Sequence, residues 1–120
     1  MIKVLIASSK INQRWSEKIW EQIIWSDHEM RAKILTYDAD DEKCVGMIRS
    51  QVKLADVLIC NLEDMDDYCL LVLAEAYKHS KVVFGYVKHT QLNITVLAAL
   101  STLTFSNVQE LEDLLSEMGE

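Results

Sequence analysis

The amino-acid sequence predicts an α/β fold, a three-layer αβα sandwich around a five-stranded parallel sheet of flavodoxin/Rossmann-like order 2-1-3-4-5. Three observations predict this fold class. Short apolar runs alternate with amphipathic stretches along the chain, as βαβ units require. The run Val57–Cys60 is apolar at every position, which is typical of a parallel strand covered on both faces. The 120 residues suffice for one core but not two, so residues 1–120 are expected to form a single domain.

The first half of the chain contains two predicted strands, each followed by a predicted helix. Lys3 is the one polar residue of the first strand, and the first helix carries apolar residues three or four positions apart. Trp15, Trp20 and Trp25 all lie on this helix, where core packing is the first interpretation and a subunit interface the second. The four elements are Met1–Ala7, a helix from Asn12 to about Ser26, the strand Arg31–Tyr37 and the helix Glu42–Leu54.

The second half contains three predicted strands, each again followed by a helix. Ser106 is placed as the N-cap of the last helix, because its hydroxyl can accept a hydrogen bond from a free backbone N–H. The elements are the strand Val57–Cys60, the helix Tyr68–Tyr77, the strand Val82–Tyr86, the helix Gln91–Leu100, the strand Thr102–Phe105 and the helix Asn107–Met118.

Ligands of open α/β sheets bind outside the carboxyl ends of the strands, where the strand order reverses. In the order 2-1-3-4-5 this place lies between the first and third strands. The loops Ser8–Asn12 and Asn61–Tyr68 are expected to line it. The second loop is strongly acidic, with carboxylates at Glu63, Asp64, Asp66 and Asp67.

Composition excludes several classes of function. The net charge of −7 argues against nucleic acid or an anionic membrane as the partner. No apolar run approaches the roughly 18 residues that a membrane-spanning helix needs. The chain has three glycines and no proline, so a glycine-rich phosphate loop cannot be built, and no cofactor is expected.

The remaining composition points to a cytoplasmic protein without a metal site. Residues 1–7 continue directly into a strand pattern and lack a signal-peptide cleavage site. Three cysteines without CxxC spacing are expected to be small buried hydrophobes. The three histidines show no ligand spacing, and the acidic loop, although it could gather a magnesium ion, is more simply interpreted as solvated.

Two families that share this strand order fit the loops poorly. Receiver domains need an aspartate after the third strand, an acidic pair after the first and a lysine after the fifth. Those places hold Asn61, Ser8-Ser9 and Ser106-Asn107. Flavodoxins need a phosphate loop after the first strand, of which Ser8-Ser9-Lys10 is a faint version without glycine.

Three stretches of the chain match the motifs of one known family. The run ADVLICNL matches a third-strand pattern "ADvviAnL". The spacing from Asp66 to Val83 follows a signature D-S-G-T-x-x-E-x-G-x-A-x-A-x-x-K-x-V, anchored on Lys81. The stretch Leu92–Thr95 resembles an "lN-x-M" helix. Through these stretches, which cover a little over a third of the chain, the sequence resembles the nucleoside 2-deoxyribosyltransferase group, including its shorter nucleotide-hydrolase relatives.

The resemblance implies roles for particular positions. In the family, a glutamate on the third helix attacks C1′ of a 2-deoxynucleoside, an aspartate before it holds the base, and an asparagine on the fourth helix reaches a neighbouring subunit's sugar hydroxyl. Asp66 and Asn93 stand at the last two positions, but the nucleophile position is Val72. The small S-G-T run is replaced by Asp67-Tyr68-Cys69, and Leu5 and Ser8-Ser9 replace the tyrosine and Gly-Pro around the first strand.

Valine cannot attack carbon, so we expect a degenerate member with the family fold and without its catalysis. Glu75 lies three positions beyond Val72, about 4.5 Å along the helix axis. It could approach the same cavity, although a solvent-facing carboxylate is the ordinary interpretation.

Three hypotheses about function are compatible with the sequence. The first is a protein that binds a nucleoside or nucleotide-like ligand in the crevice, through Ser8, Ser9, Asn61, Asp66 and Asn93. The second is an active deoxyribosyltransferase or nucleotide N-glycosidase that uses Glu75 or Asp66. The third is a non-enzymatic interaction module that works through the tryptophan-bearing helix. The tryptophans and the habit of the family together suggest a homodimer.

Overall fold

The computed structural model describes residues 2–25, 29–36, 43–89 and 102–118. Strands and helices alternate along these ranges, as the sequence predicts. The predicted helix Gln91–Leu100, with Asn93, lies outside the described residues. The described elements are β1 (Ile2–Ala7), a 3₁₀ turn (Lys10–Asn12), α1 (Gln13–Ile24), β2 (Met30–Ile34), α2 (Lys43–Leu54), β3 (Val57–Asn61), α3 (Asp67–Lys78), β4 (Val82–Tyr86), β5 (Thr102–Phe105) and α4 (Val108–Met118).

The five strands form one parallel sheet in the order β2-β1-β3-β4-β5. The predicted fold class and strand order are confirmed. One row across the sheet shows the register: Ile6 of β1 pairs with Ile34 of β2 and Ile59 of β3, and Ile59 pairs with Phe84 of β4. Side chains in such a row share a face of the sheet, so helices on that side can bury them together.

Two apolar clusters cover the two faces of the sheet. On one face, Leu5 and Leu58 pack with residues of α2 and α3, such as Ile48 and Val72. On the other face, alternate strand residues pack with α1 and α4. The residues of this second cluster are Val4, Ile6, Ile19, Ile23, Val57, Ile59, Phe84, Phe105, Leu111 and Leu115. The central strand β3 is buried throughout, as its continuous apolar run predicts.

Several predicted boundaries move by one to three residues. The second strand ends at Ile34 rather than Tyr37, although Leu35 is still buried and its N–H donates to Ile6 O at 2.8 Å. The third strand extends through Asn61, because this residue pairs with Tyr86. The third helix begins at Asp67 because the preceding side chain, Asp66, caps it.

The three tryptophans have different surroundings. The Trp15 ring lies 5.3 Å from that of Tyr86 and 6.4 Å from that of Phe105, measured between centroids. Trp20 Nε1 donates to Ala32 O of β2 at 3.1 Å. Core packing is therefore confirmed for these two residues. Trp25, by contrast, is 83% exposed.

Over the described ranges, none of the helices has the length and apolar character that crossing a membrane requires.

Candidate functional site

The two serines that follow β1 are buried and bonded to the start of α1. The hydroxyls of Ser8 and Ser16 lie 2.7 Å apart, and Ser8 Oγ also donates to the carbonyl of Asn12 at 3.2 Å. Ser9, Ser8 and Ser16 are each almost fully removed from solvent. These hydroxyls therefore fix how α1 leaves the carboxyl end of β1, which shapes one wall of the predicted crevice.

Asn12 joins the two predicted loops across the carboxyl edge of the sheet. Its Nδ2 donates to the carbonyl of Glu63 at 2.9 Å and to Ser9 Oγ at 3.3 Å. The loops after β1 and β3 therefore meet, as the strand order predicts. The sequence pattern does not mark Asn12 as a site residue, because its partner Glu63 lies 51 residues away and no local motif indicates the bond.

Asn61 and Glu63 hold the acidic loop in shape. Asn61 is buried, and its Oδ1 accepts from the N–H of Glu63 at 2.8 Å, a local turn that asparagine readily forms. Glu63 Oε1 accepts from the N–H of Lys88 at 2.6 Å and from the N–H of His89. The carboxylate of Glu63 thus ties the loop after β3 to the segment after β4.

Asp66 lies at the start of α3, at the same edge of the sheet. Its Oδ1 accepts from the N–H of Cys69 at 3.0 Å, the geometry of an N-cap. A carboxylate is favoured there by the helix dipole as well. Asp64, two residues earlier, adopts a positive φ of 52°, which aspartate tolerates better than most residues. Within the described ranges, no group of three or more His, Cys, Asp or Glu side chains is arranged to hold a metal ion.

Val72 and Glu75 lie farther along α3, away from the carboxyl edge. Val72 is fully buried in the cluster beneath α2 and α3. Glu75 is nine residues beyond Asp66, roughly 13 Å along the helix axis. Its carboxylate contacts Arg49 of α2 at 3.0 Å and His79 at 3.6 Å. The structure therefore does not bring Glu75 and Asp66 together at one site.

The ordinary interpretation of Glu75 as a solvent-facing carboxylate is wrong. Its side chain is only 7% exposed. A buried carboxylate is tolerated only when its charge is compensated. Here the guanidinium of Arg49 supplies the opposite charge, and the imidazole of His79 lies 3.6 Å from the other carboxylate oxygen. Glu75 consequently belongs to the contact between α2 and α3.

The cysteines behave as the sequence predicts. Cys44, Cys60 and Cys69 are all free and buried. Burial raises the pKa of the Cys60 thiol far above its usual range, and the neighbouring Cys69 raises it further. The thiol of Cys60 therefore stays protonated near neutral pH, which makes it a poor nucleophile.

The whole described chain resembles a solved enzyme in its fold. No protein-family model and no curated protein matches the sequence. Among solved structures, the chain is similar to the CMP N-glycosidase BcmB of Clostridium botulinum. The TM-score is 0.63 at 13% sequence identity, over 97% of this chain and 97% of that one. The fold is thus shared over nearly the full length of both proteins.

The structural match is to a CMP N-glycosidase, and the sequence resemblance is to a family that includes nucleotide hydrolases. At 13% identity the structural match concerns the fold alone. It does not transfer individual residues, so the chemistry of the site depends on the side chains at the carboxyl edge of this sheet.

The neutral polar side chains at this edge bond to one another or to the backbone. They belong to Ser8, Ser9, Asn12 and Asn61. Asp66 adds a half-buried carboxylate at the start of α3. Carboxylate and amide groups are side chains of the kind that orient the polar groups of a ligand.

Proposed function

We propose that this protein binds a nucleoside or nucleotide in the crevice between the carboxyl ends of β1 and β3, without forming a covalent glycosyl intermediate. One observation carries the proposal. The loops after β1 and β3 meet at this edge through the Asn12–Glu63 hydrogen bond, in a fold shared with a CMP N-glycosidase over 97% of both chains. This edge is where open α/β sheets bind their ligands.

The character of α3 supports binding rather than catalysis. Val72, at the nucleophile position of the resemblance, has an apolar side chain that lies in the core. Glu75 lies about 12 Å below the first residue of α3, since it comes eight residues later at about 1.5 Å each. Its carboxylate is also occupied by Arg49. Neither side chain is available as a nucleophile in the crevice.

The proposed ligand contacts divide into two kinds. We assign direct contact with the base to Asp66, because its half-buried carboxylate lies at the start of α3 and can accept hydrogen bonds from N–H groups. Asn93 is proposed as a second contact by the resemblance alone. Ser8, Ser9 and Asn61 are buried and bonded within the protein, so we propose that they contribute to ligand binding indirectly, by fixing the shape of the two loops.

The test is binding of CMP, cytidine and deoxycytidine to the parent protein, measured by calorimetry and by the shift in Tm. A ligand selective for the folded state must raise Tm.

The variant Asp66→Asn keeps an N-cap acceptor but loses the charge, so it should fold like the parent. It should bind the ligand about tenfold more weakly, which corresponds to the loss of one charge-assisted hydrogen bond. Glu117→Gln, an exposed change on α4, is the matched control and should bind like the parent. The absence of any shift with millimolar nucleosides and nucleotides would overturn the proposal.

The enzyme hypothesis is the second candidate, because the solved structure that matches the fold is an N-glycosidase. Incubation with CMP or deoxycytidine followed by chromatography detects free cytosine directly. We expect no release above the rate in buffer. If the parent releases cytosine, if Asp66→Asn abolishes this release and if Glu75→Gln preserves it, then Asp66 is the catalytic carboxylate. That outcome would overturn the non-catalytic part of the proposal.

A further inference from the structure

Three cationic side chains surround a small pocket on the opposite side of the molecule from the crevice mouth. We call it the basic pocket. It has a volume of about 190 Å³ and is formed by the first half of β1, by β2 and by the end of α2. Lys3 lies five residues before Ser8, which is roughly 16 Å along an extended strand. The lining residues are Lys3, Val4, Leu5, Arg31, Lys33, Gln51, Leu54 and Ala55.

The register of the sheet brings the three cations to one face. Lys3 pairs with Arg31, and Leu5 pairs with Lys33. Paired residues of neighbouring parallel strands point to the same face, and Leu5 belongs to the apolar cluster under α2 and α3. Lys3, Arg31 and Lys33 therefore all lie on the α2 side. Adjacent strands are about 4.8 Å apart and alternate residues of a strand about 6.6 Å, so the three charges are close together.

This concentration of positive charge is unexpected in an acidic protein. The chain has 19 acidic and 12 basic residues. Even so, over the described ranges no ion pair joins Lys3, Arg31 or Lys33 to a carboxylate. Asp56 is nearby, but the bond it makes there is to the backbone N–H of Lys3 at 2.8 Å. Like charges directly opposite each other in a sheet are destabilising, so this arrangement is unfavourable without an anion.

Protection of the sheet edge explains only part of the pattern. Charged residues on an edge strand discourage pairing with another chain, which accounts for Arg31 and Lys33 on β2. Lys3 lies on the inner strand β1, where no edge needs protection. Leu54 and Ala55 at the end of α2 also close the space beside the cations into a pocket with an apolar wall.

We propose that the basic pocket binds a small organic dianion, a dicarboxylate or a phosphomonoester with a short hydrocarbon body. The three cations would hold the charged groups, and Gln51 can donate a further hydrogen bond. Leu54 and Ala55 would contact the hydrocarbon part. At about 190 Å³ the basic pocket is smaller than the roughly 300–1,000 Å³ of typical ligand pockets, which suits a small anion. The pocket lies at the other end of β1 from the proposed nucleotide crevice, so the two sites are separate.

The test is calorimetric titration of the full chain with sodium succinate and with glycerol phosphate, against sodium chloride at equal ionic strength. We expect saturable binding of at least one of the two dianions.

Arg31→Gln and Lys33→Gln should each weaken the binding of that dianion about tenfold, which corresponds to the loss of one charge-assisted hydrogen bond. Both residues are exposed, so the variants should keep the parent's circular dichroism and Tm. Lys18→Gln, an exposed lysine on α1 across the sheet, is the matched control and should bind like the parent.

Each outcome decides for or against the basic pocket. The dianion that binds identifies the charged group that the pocket prefers. Failure of both dianions to bind saturably at millimolar concentration would overturn the proposal. Equal weakening by Lys18→Gln and by Lys33→Gln would also overturn it, because it would show diffuse attraction rather than a site. CMP binding should be unchanged in Arg31→Gln, which separates this result from that of the crevice.

Discussion

Arg49 Nε lies 3.0 Å from Glu75 Oε1 and joins α2 to α3 through an ion pair. The two partners are unequal in exposure, since the Glu75 side chain is 7% exposed and that of Arg49 is 60% exposed. The other carboxylate oxygen, Oε2, lies 3.6 Å from His79 Nε2. Glu75 is therefore a nearly dry carboxylate whose charge is compensated by Arg49 of α2, with the imidazole of His79 beside it. This relationship gives Glu75 a structural role between α2 and α3.

Removal of the Arg49 charge should destabilise the fold more than an ordinary surface change. Arg49→Met keeps most of the aliphatic stem but leaves Glu75 with His79 alone. We expect the free energy of unfolding to fall by about 1–3 kcal/mol, because a buried carboxylate loses its main partner. Urea denaturation measures this loss directly.

The double variant Arg49→Met/Glu75→Gln is the control for the cause of that loss. It removes the buried charge together with its partner, so it should recover part of the stability that Arg49→Met loses. A loss below about 0.5 kcal/mol in Arg49→Met would instead show that the pair behaves as a solvent-screened surface ion pair.

Ser80 closes α3 in a conformation that glycine adopts more easily. Its φ is 53°, in the left-handed region. The N–H of Ser80 donates to Tyr77 O at 3.1 Å, and the N–H of Lys81 donates to Ala76 O at 2.8 Å, which together form a Schellman motif. Ser80→Gly should raise the free energy of unfolding by about 0.5–1 kcal/mol, because the left-handed conformation is unfavourable for a residue with a Cβ.

Ser80→Ala separates the backbone effect from loss of the hydroxyl. Alanine keeps the Cβ and lacks the hydroxyl, so it should bring no stabilisation in urea denaturation. If Ser80→Ala and Ser80→Gly stabilise equally, the strain argument is wrong.

Burial of the Cys60 thiol should make stability depend on alkaline pH. Burial raises its pKa in the folded state above the ordinary value of 9.0. Above about pH 9 the unfolded thiol loses its proton while the folded thiol keeps it, so the folded state binds more protons and stability falls as pH rises. The slope from this group is at most about 1.4 kcal/mol per pH unit, and its contribution vanishes below the unfolded pKa.

Urea denaturation at a series of pH values from about 8 to about 10 measures this slope. The same series on Cys60→Ala supplies the control, because other groups titrate in both proteins. We expect the parent to lose more stability with rising pH than the variant. Equal slopes would contradict the prediction.

The fold could be predicted because its signals are local. The apolar run Val57–Cys60 becomes the buried central strand β3, and the alternation of strands with helices leads to the observed order. The polar residues at the strand ends also come to one edge, since parallel strands all end there. What could not be predicted is the partner of each side chain. Asn12 and Glu63 are 51 residues apart, and no local sequence pattern indicates their hydrogen bond.

The role of Glu75 was missed for the same reason. A single carboxylate in an apolar helix resembles a surface residue when its neighbours in sequence are considered alone. Its partner Arg49 is 26 residues away on another helix. A usable signal was Val72 at the i−3 position, a core residue that is a neighbour of Glu75 on the helix surface.

The exposed tryptophan bears on the proposed homodimer and on the interaction-module hypothesis. Trp25 is 83% exposed at the end of α1, beside the half-exposed Ile24. Trp15 and Trp20, by contrast, pack against other residues of the same chain. We propose that Trp25 anchors a contact between two copies of the chain, because an exposed tryptophan is a typical centre of an interface. Trp25→Ala should then weaken self-association by about 2 kcal/mol or more, a roughly thirtyfold higher dissociation constant in sedimentation equilibrium. Ile11→Ala is the matched control, since Ile11 is 76% exposed near the other end of α1, about 20 Å away. A monomeric parent, or equal weakening by both variants, would remove Trp25 from this role.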